Sequence, residues 1–580
     1  MGRKSILQSE RSRLLLLSLV VGLLCGFAAV VLKLSIRWIH GGLSSLASLT
    51  HGWPYLVYPG IGMLLSFIIL KYLIKDNVGH GVTRVLVAIS KNESRIKKHN
   101  MFSSLVTSAL TIGFGGSVGA EAPIVYTGAA IGSNLGRTAG LSYRGMTVLL
   151  GCGAAGAVAG IFNAPLAGVL FTMEILLFSM SMSALLPLLI STLSATMVSY
   201  ICLGMKTQFT CALAAFNPWN VPFYIVLGVI GGLVSVYFLR TTLHLEDRFG
   251  RMKNKFLRWA ICAAALGLLI WLFPPLYGEG YEELTPLLTG ETPSFAGRTV
   301  LSGLTAKTWG LPVFFGVILL LKVFAMTFTN AGGGVGGTFG PTLFVGALTG
   351  YVMATSLNLL SPGLLPVANF TLVGMAGLMA GVMQAPMTAI FLLAEISGGY
   401  QLLIPLLVTS AVSYGMTRLF EKYSIYTKRI AASGELLTHD SDQAVLTLLK
   451  TDSLVEKDFI PVQIDAPLRA LVEAVSNSSR NLFPVVDSNG RFQGYVPLEN
   501  IRRDMFNSSL YDTRHVYNYM YSAAEYVYEG ESMESVMRKF ERTREWNLPV
   551  VKPDRTYVGF VSKSKIFNAY RKELQGISEE

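Results

Sequence analysis

The sequence predicts an all-α polytopic membrane domain, built from broken helices in two corresponding halves, followed by a soluble α+β pair of modules. Three observations predict this fold class. Apolar residues make up 52% of the 580 residues and charged residues only 14%, which is too apolar for a soluble enzyme of this length. Residues 421–580 nevertheless hold 44 of the 82 Asp, Glu, Lys and Arg residues. A twelve-residue pattern also occurs twice in the apolar part.

The first 420 residues are predicted to form the membrane domain, with roughly ten or more helices, some tilted or re-entrant. Their apolar segments lie near 14–32, 54–71, 101–136, 145–173, 179–204, 217–239, 259–277, 309–330, 341–360 and 363–417. This part carries a net charge of +14, against −2 for residues 421–580. The positive-inside rule places its short basic loops, and both termini, in the cytoplasm. Because these charges flank membrane spans, no nucleic-acid partner is indicated.

Glu121 is the only charged residue between Met101 and Gly136, and it lies within the run from Gly119 to Pro123. A carboxylate at bilayer depth costs about 2.5–3.5 kcal/mol, so it is rarely retained without a function. The glycines and the proline predict broken helices around a polar cavity, which is how membrane transport sites are built. The sequence therefore predicts a transport protein with an acidic group in its pathway.

The internal repeat covers residues 163–174 and 384–395, and each copy follows a Gly-rich element that ends in Pro123 or Pro341. Two such halves indicate a binding site at the interface of the repeats. The second Gly-rich element, Gly332 to Pro341, would leave free backbone N–H groups where a helix begins. This arrangement favours an anion without a buried Lys or Arg. No Gly-Lys-Ser/Thr follows, so a phosphate loop is rejected.

After Arg418 the sequence changes to a tandem αββα pattern, with strands predicted at 481–487, 492–496, 546–551 and 557–561. The predicted domains follow from these boundaries. They are a membrane domain at 1–420, a linker at 421–453, and two soluble modules at 454–510 and 511–580.

Together these motifs resemble the CLC chloride channel and transporter family, with a C-terminal pair of CBS domains. The run from Gly119 to Pro123 is similar to the family's G-[KR]-E-G-P element, with Ala120 and Ala122 as departures. Residues 160–168 followed by Glu174, then 337–341 and 421–426, resemble three further family elements. The resemblance implies a CLC-type inverted-repeat fold in the lipid bilayer, assembled as a homodimer with one anion pathway in each subunit.

By this resemblance Glu121 would be the gating, proton-linked glutamate, which competes with chloride for one site. The backbone amides of Ala122, Thr338 and Phe339 and the hydroxyl of Tyr426 would line the anion route. Two alternatives from the residues themselves stay open. Glu121 could be a structural carboxylate capped by amides, and Tyr426 an interfacial-belt tyrosine.

Two departures from the family bear on selectivity and coupling. His80 stands where the family has a small hydroxyl donor, so it either binds the anion in a pH-sensitive way or points aside while the backbone binds. Ile175 stands where exchangers carry an inner proton-transfer glutamate. Its presence favours a passive or weakly coupled channel over a chloride/proton antiporter. A fluoride-selective transporter of the same fold is a second alternative.

A different class, a cation transporter, would use Glu121, Glu174 and Glu395 as ligands and would cluster them at one site. An enzyme is not indicated, because the sequence offers no nucleophile–base pair and no metal cluster. Short loops and a compact length suggest a prokaryotic plasma or inner membrane.

The soluble modules raise the question of a nucleotide. CBS modules that bind adenine nucleotides often end in G-h-h-[ST]-x-x-[DN]. The first copy keeps Asn500 of this signature and the second keeps Ser562. A sensor of ATP or AMP and a purely structural pair that braces the dimer both stay open, and no other cofactor is expected.

Overall fold

The computed structural model describes residues 2–48, 53–76, 78–176, 182–205, 209–289, 309–432 and 451–569. The chain divides into two compact units, Met1–Leu437 and Thr438–Glu580. Residues 433–450, which belong to the predicted linker, lie outside the described residues. The predicted domain boundaries stay predictions.

Helices are the regular elements of the described part of the first unit. They are α1 (Gly2–Ser48), α2 (Tyr58–Ile68), α3 (Gly81–Lys91), α4 (Ser103–Gly113), α5 (Glu121–Thr138), α6 (Tyr143–Phe162), α7 (Pro165–Ile175), α8 (Met182–Leu203), α9 (Val221–Gly250), α10 (Lys255–Leu272), α11 (Tyr281–Thr289), α12 (Gly310–Ala331), α13 (Phe339–Leu360), α14 (Val367–Met383), α15 (Pro386–Ile396), α16 (Leu403–Phe420) and α17 (Ile425–Ala432). Among the described residues, eight helical stretches are long and apolar enough to cross a membrane, and six apolar helical stretches are shorter. The predicted polytopic, broken-helix architecture is confirmed.

The apolar segment 101–136 is broken as predicted. Helix α4 ends at Gly113, and Gly115 turns the chain with a φ of +93°, a conformation that glycine adopts without steric cost. Helix α5 then begins at Glu121, with Pro123 in its first turn, where a missing N–H breaks no helical hydrogen bond. The break places the start of α5 inside the domain.

The two halves of the repeat meet at equivalent glycines. The Gly119 N–H donates to the Gly337 carbonyl at 3.0 Å, and the Gly337 N–H donates back to the Gly119 carbonyl at 2.7 Å. This bridge is antiparallel, so the two Gly-rich elements run in opposite directions. That is the relation expected of inverted repeats.

Equivalent threonines reinforce the same junction. The Val335 N–H donates to the Thr111 hydroxyl at 3.0 Å, and the Ser117 N–H donates to the Thr329 hydroxyl at 3.1 Å. Thr111 lies on α4 and Thr329 on α12, the helices that precede the two Gly-rich elements. Each half therefore satisfies a buried amide of the other half.

The repeated motifs themselves cap each other. Glu174, near the end of α7, accepts N–H groups of Met387 at 2.9 Å and Thr388 at 2.6 Å in the first turn of α15. Glu395, near the end of α15, accepts two N–H groups from the first turn of α7, at 3.1 and 2.9 Å. Carboxylates at helix N-termini are stabilising. In the described residues these two acids are reciprocal caps rather than ligands shared with Glu121.

The second unit repeats one small sheet twice. Its helices and strands are α18 (Thr451–Leu454), β1 (Val462–Gln463), α19 (Leu468–Ser476), β2 (Leu482–Val486), β3 (Phe492–Pro497), α20 (Leu498–Ile501), β4 (Val527–Tyr528), α21 (Met533–Thr543), β5 (Asn547–Val551) and β6 (Tyr557–Ser562). The strand orders are β1-β2-β3 and β4-β5-β6. In each sheet the first pair is parallel and the second antiparallel. The four predicted strands are present, and the two-residue strands β1 and β4 were missed.

The two copies share an apolar core made of Phe459, Phe492, Val551 and Phe560. The rings of Phe492 and Phe560 meet edge to face, with centroids 6.1 Å apart. Burial of these side chains makes the two modules one folded body.

Candidate functional site

Glu121 is buried, with 3% of its surface exposed. It is the first residue of α5. Its Oε1 accepts a hydrogen bond from the Tyr281 hydroxyl at 2.5 Å, and its Oε2 accepts one from the Gly340 N–H at 3.3 Å. Gly340 is the second residue of α13. The carboxylate therefore lies where two helices begin, and both helix dipoles favour a negative charge there.

Glycine makes room for this carboxylate. A Cβ at Gly119 would lie 2.0 Å from Glu121 Oε2, and a Cβ at Gly340 would lie 3.3 Å from Oε1 and 3.1 Å from the Tyr281 hydroxyl. The first distance is a direct clash, since real contacts of a Cβ are longer than 3 Å. The same Cβ at Gly119 would also lie 2.8 Å from the Gly340 backbone nitrogen. The close backbone of α13 and the bridge to Gly337, rather than the flexible Glu121 side chain, therefore require glycine at this position.

Two predicted site residues present unused hydroxyls. Thr338 and Tyr426 are 2% and 3% exposed, and neither hydroxyl has a hydrogen-bond partner in the described residues. The two hydroxyls are neighbours, and the Tyr426 side chain is also within electrostatic range of Glu121. Buried polar groups are rarely left unpaired in native proteins, so each such group calls for an explanation. A bound anion would accept a hydrogen bond from each of these two hydroxyls.

The remaining predicted amides lie in the same two helix starts. Ala122 is the second residue of α5, and Phe339 is the first residue of α13. N–H groups in a first helical turn have no partner within the helix. The Phe339 ring packs against Phe162, with centroids 5.3 Å apart. The structure thus brings Glu121, both amides, Thr338 and Tyr426 to one junction.

His80 lies beside an ion pair. It precedes α3 in the left-handed region, with a φ of 57°. Its Nε2 is 3.9 Å from Glu246 Oε1, and that oxygen is 2.6 Å from the Arg429 guanidinium. Arg429 is one turn after Tyr426 on α17. The ring therefore faces the Glu246–Arg429 pair, and an anion-binding role for His80 stays a prediction.

One segment at the site was missed by the sequence reasoning. Glu279 Oε1 accepts the Ala120 N–H at 2.9 Å, one residue before Glu121. The buried Lys322 ammonium donates to the Gly278 carbonyl at 3.0 Å and lies 4.8 Å from the centroid of the Phe344 ring. Two signals could have found it: an acid between two glycines directly after an apolar span, and a single Lys inside the apolar segment 309–330.

Tyr426 and Glu279 approach the site from opposite ends of the domain. Arg429 ties the Tyr426 helix to Glu246, near the end of α9. Helix α10 starts five residues after α9 and runs for 18 residues, which is about 27 Å. Glu279 follows the far end of α10. Glu121 contacts Tyr281 and is also near Tyr426.

Both predicted nucleotide-binding residues make hydrogen bonds to other groups of the second unit. The Asn500 amide donates to the Tyr519 carbonyl at 3.1 Å. The Ser562 hydroxyl donates to Glu456 Oε2 at 3.0 Å, and Glu456 is paired with Arg480 at 3.1 Å. A nucleotide phosphate on Ser562 would have to displace the Glu456 carboxylate. Nucleotide binding stays a prediction.

Inverted halves whose helix starts surround a buried carboxylate define a membrane transport protein. The family model of the voltage-gated chloride channel matches residues 61–418, and the CBS domain model matches residues 452–507 and 516–572. The chain therefore belongs to the voltage-gated chloride channel family, CLC, and carries two CBS domains. It is a multi-pass membrane protein of a family that transports anions.

Relatives and solved structures agree with this membership. The chain is 28% identical over 404 residues to a putative chloride channel protein ClcB-like of Ralstonia nicotianae, covering 68% of this chain and 90% of that protein. It is 28% identical over 437 residues to a voltage-gated ClC-type chloride channel ClcB of Escherichia coli, covering 72% and 99%.

Two solved structures share the fold of the first unit. A CLC-type fluoride/proton antiporter is 25% identical with a TM-score of 0.60, over 72% of this chain and 97% of that one. A slow cyanobacterial Cl⁻/H⁺ antiporter is 24% identical with a TM-score of 0.63, over 73% and 98%.

Proposed function

We propose that this chain conducts chloride-like anions as a channel or a weakly coupled transporter, with Glu121 as its gate. The observation that carries the proposal is the hydrogen bond from the Gly340 N–H to the Glu121 carboxylate. The carboxylate occupies, as an internal anion, the place where two helix starts favour a negative charge.

The gate works by competition. Deprotonated, the Glu121 carboxylate accepts from Gly340 and Tyr281 and blocks the helix starts. Once it is protonated, it loses the charge that held it there and swings away. An incoming anion then accepts from the amides of the α13 start and from the hydroxyls of Thr338 and Tyr426, which have no other partner in the described residues. Charge-assisted hydrogen bonds of this kind are the strong ones.

Weak coupling is supported by Ile175. It is 5% exposed, and its alkyl side chain holds no proton at the position where the resemblance expects an inner acid. A chloride/proton antiporter is the alternative, because the two similar structures described above are those of proton antiporters. A fluoride-selective transporter is the second alternative, because one of the two is the structure of a fluoride/proton antiporter.

The proposed orientation places both termini in the cytoplasm of a cell with the chain in its plasma or inner membrane. The basic stretch from Arg248 to Lys255, between α9 and α10, supports this orientation by the positive-inside rule. We further propose a homodimer. Exposed apolar side chains on α7 and α15, Leu166 and Met387, are surfaces that a second copy would cover.

The soluble unit is proposed to bind an adenine nucleotide in competition with its own Glu456–Ser562 contact. Calorimetry on the full chain with millimolar ATP, ADP and AMP tests this. Heat of binding that is strengthened by Glu456→Gln is expected. Absence of heat in both proteins would leave the CBS pair a purely structural brace.

The conduction proposal is tested in liposomes by recording chloride efflux and external pH together. Chloride efflux without proton movement is expected. Matched, uncoupler-sensitive proton uptake would instead establish an antiporter, and fluoride flux above chloride flux would establish the fluoride alternative. Glu121→Gln should conduct with no dependence on pH. A fully pH-dependent E121Q flux would show that Glu121 is not the gate.

A further inference from the structure

The segment from Gly278 to Tyr281 is built against the gate. Gly278 and Gly280 both have positive φ, 60° and 88°. A Cβ at Gly280 would lie 2.6 Å from the Phe344 ring, so the turn needs glycine there. The Gly278 N–H donates to the Gly115 carbonyl at 3.2 Å. These contacts hold the segment against the Gly-rich element that leads into α5.

Two side chains of this segment reach the gate region. The Tyr281 hydroxyl donates to Glu121 Oε1 at 2.5 Å, and its ring meets Phe209 edge to face at 5.5 Å. Glu279 accepts the Ala120 N–H at 2.9 Å, which brings a second carboxylate next to the residue that precedes the gate. One side chain holds the Glu121 carboxylate, and the other adds a second acidic group beside the gate.

The charged groups around Glu121 and Glu279 determine which of the two carboxyl groups is ionised. Among the described residues, the groups that face Glu121 are Lys33 of α1, Glu279, Tyr281 of α11 and Tyr426 of α17. Glu279 also faces Lys33 and Lys322 of α12. Lys322 donates to the Gly278 carbonyl, so a buried positive charge lies next to Glu279. Burial and the nearby Glu121 charge favour the neutral form of Glu279, whereas Lys33 and Lys322 favour its ionised form.

We propose that Tyr281 and Glu279 form a latch on the gate. Tyr281 holds the ionised Glu121 in the pathway through its hydrogen bond, and the Glu279 charge favours the protonation of Glu121 that releases it. The two residues therefore act in opposite directions on the same event. Both are positioning residues that act through Glu121, so the latch rests on the proposed gating function.

The test is the pH profile of chloride flux in proteoliposomes with equal pH on both sides, from about pH 4 to about pH 8. Glu279→Gln removes a neighbouring negative charge and should lower the pH of half-maximal flux by about one unit. Tyr281→Phe removes the donor that favours the ionised carboxylate. It should raise that pH by about one unit and increase flux at about pH 7.5. Glu279→Asp should restore the wild-type profile.

Matched controls lie on the same segment. Glu282 is an acid on the first turn of α11 that is more exposed than Glu279, so Glu282→Gln makes the same charge change away from the gate. Tyr277 packs edge to face on Tyr55 and His40, so Tyr277→Phe removes a hydroxyl without touching Glu121. Both controls should keep the wild-type profile.

The E121Q background separates the two proposals. If Glu121 is the gate, E121Q is independent of pH, and adding E279Q changes nothing further. A pH-independent E121Q combined with E279Q and Y281F profiles like those of the controls would overturn the latch alone. A pH-dependent E121Q would overturn the gate. If E279Q does not elute as monodisperse protein, the pH profile of Y281F alone tests the latch, because Phe keeps the shape of the Tyr281 ring.

Discussion

The starts of α5 and α13 are the two regions whose comparison is most informative. Their Gly-rich elements bridge each other through Gly119 and Gly337, and both helices carry a proline in their first turn. At the first helical residue they differ. One half places Glu121 there, and the other places Phe339. The symmetric residues build the junction, and the residue that breaks the symmetry is Glu121, the proposed gate.

The same distinction between symmetric and asymmetric residues extends through the domain. The reciprocal contacts of the glycines, the threonines and the acids at the ends of α7 and α15 have counterparts in both halves. Three of the groups near Glu121, namely Glu279, Tyr281 and Tyr426, have no such reciprocal contact among the described residues. We infer that symmetric contacts determine stability and that asymmetric ones determine conduction.

The largest effect is expected where helices of one half touch backbone to backbone. A Cβ at Gly153 would lie 1.9 Å from the Gly128 carbonyl oxygen, and a Cβ at Gly374 would lie 2.4 Å from the Gly346 carbonyl oxygen. Gly153→Ala and Gly374→Ala should each cost more than about 3 kcal/mol, because neither backbone has space to move. The measurement is the yield of monodisperse protein by size-exclusion chromatography.

Gly316 provides the control for this prediction. It lies within α12, and a Cβ there would meet nothing within 4 Å. Gly316→Ala should purify like the wild type. A normal yield for G153A would show that the close approach of the two helices is not needed for folding.

The next effect concerns the reciprocal acids. Glu174→Gln and Glu395→Gln each weaken two N–H contacts at a helix start, and each should lower stability by about 1–3 kcal/mol. Thermal unfolding in detergent measures the loss. Flux per folded molecule and its pH profile should stay unchanged. A changed pH profile in either variant would break the division between symmetric and asymmetric contacts.

A smaller and purely functional effect is expected at Tyr426. Tyr426→Phe removes a hydroxyl that has no partner in the described residues, so stability should not fall. It also removes a donor to the bound anion, and chloride affinity should fall about tenfold, a loss of about 1.4 kcal/mol. Calorimetric chloride titration measures this. Tyr58→Phe, which removes another buried hydroxyl without a described partner, should leave affinity unchanged. Equal losses of chloride affinity in the two variants would contradict the assignment of Tyr426 as a donor to the bound anion.

The smallest effect concerns a difference between the two modules of the second unit. Burial alone would raise the pKa of Glu531, but hydrogen bonds from Lys539, Ser535 and the Tyr528 amide outweigh it and hold that pKa below its ordinary value. The first module has Ala466 at the position equivalent to Glu531, so this ion pair belongs to the second module only.

The pH dependence of this contribution follows from the lowered pKa. The stabilisation is complete above the ordinary carboxyl pKa of about 4.3 and is lost as the pH falls through the lower folded-state value. Glu531→Gln should cost about 1 kcal/mol at about pH 7 and almost nothing near pH 2. Hydrogen exchange of β5 and β6 in the full chain measures this, with Glu529→Gln as the exposed control. An equal cost at both pH values would show that the charge of Glu531 is not involved.

The sequence predicts what local pattern determines. The break before Glu121, the repeat at 163–174 and 384–395, and the four longer strands of the soluble unit all come from residue spacing. Residue type alone could have marked Glu279 and Lys322 as unusual, but not their partners, because Glu279 reaches Ala120 across 159 residues. The position of the His80 ring near the Glu246–Arg429 pair also could not be predicted, because these residues are distant in sequence. The strands β1 and β4 were missed because two residues carry no periodicity.

The reciprocal contacts between the halves have a consequence for biosynthesis. When the ribosome has released only the first half, the Ser117 amide still lacks Thr329, and Glu174 still lacks the start of α15. These groups would face lipid or a chaperone until residues 329–388 have been inserted. A split version, made as two polypeptides, should therefore accumulate only when both are coexpressed, since each half supplies hydrogen-bond partners that the other half needs.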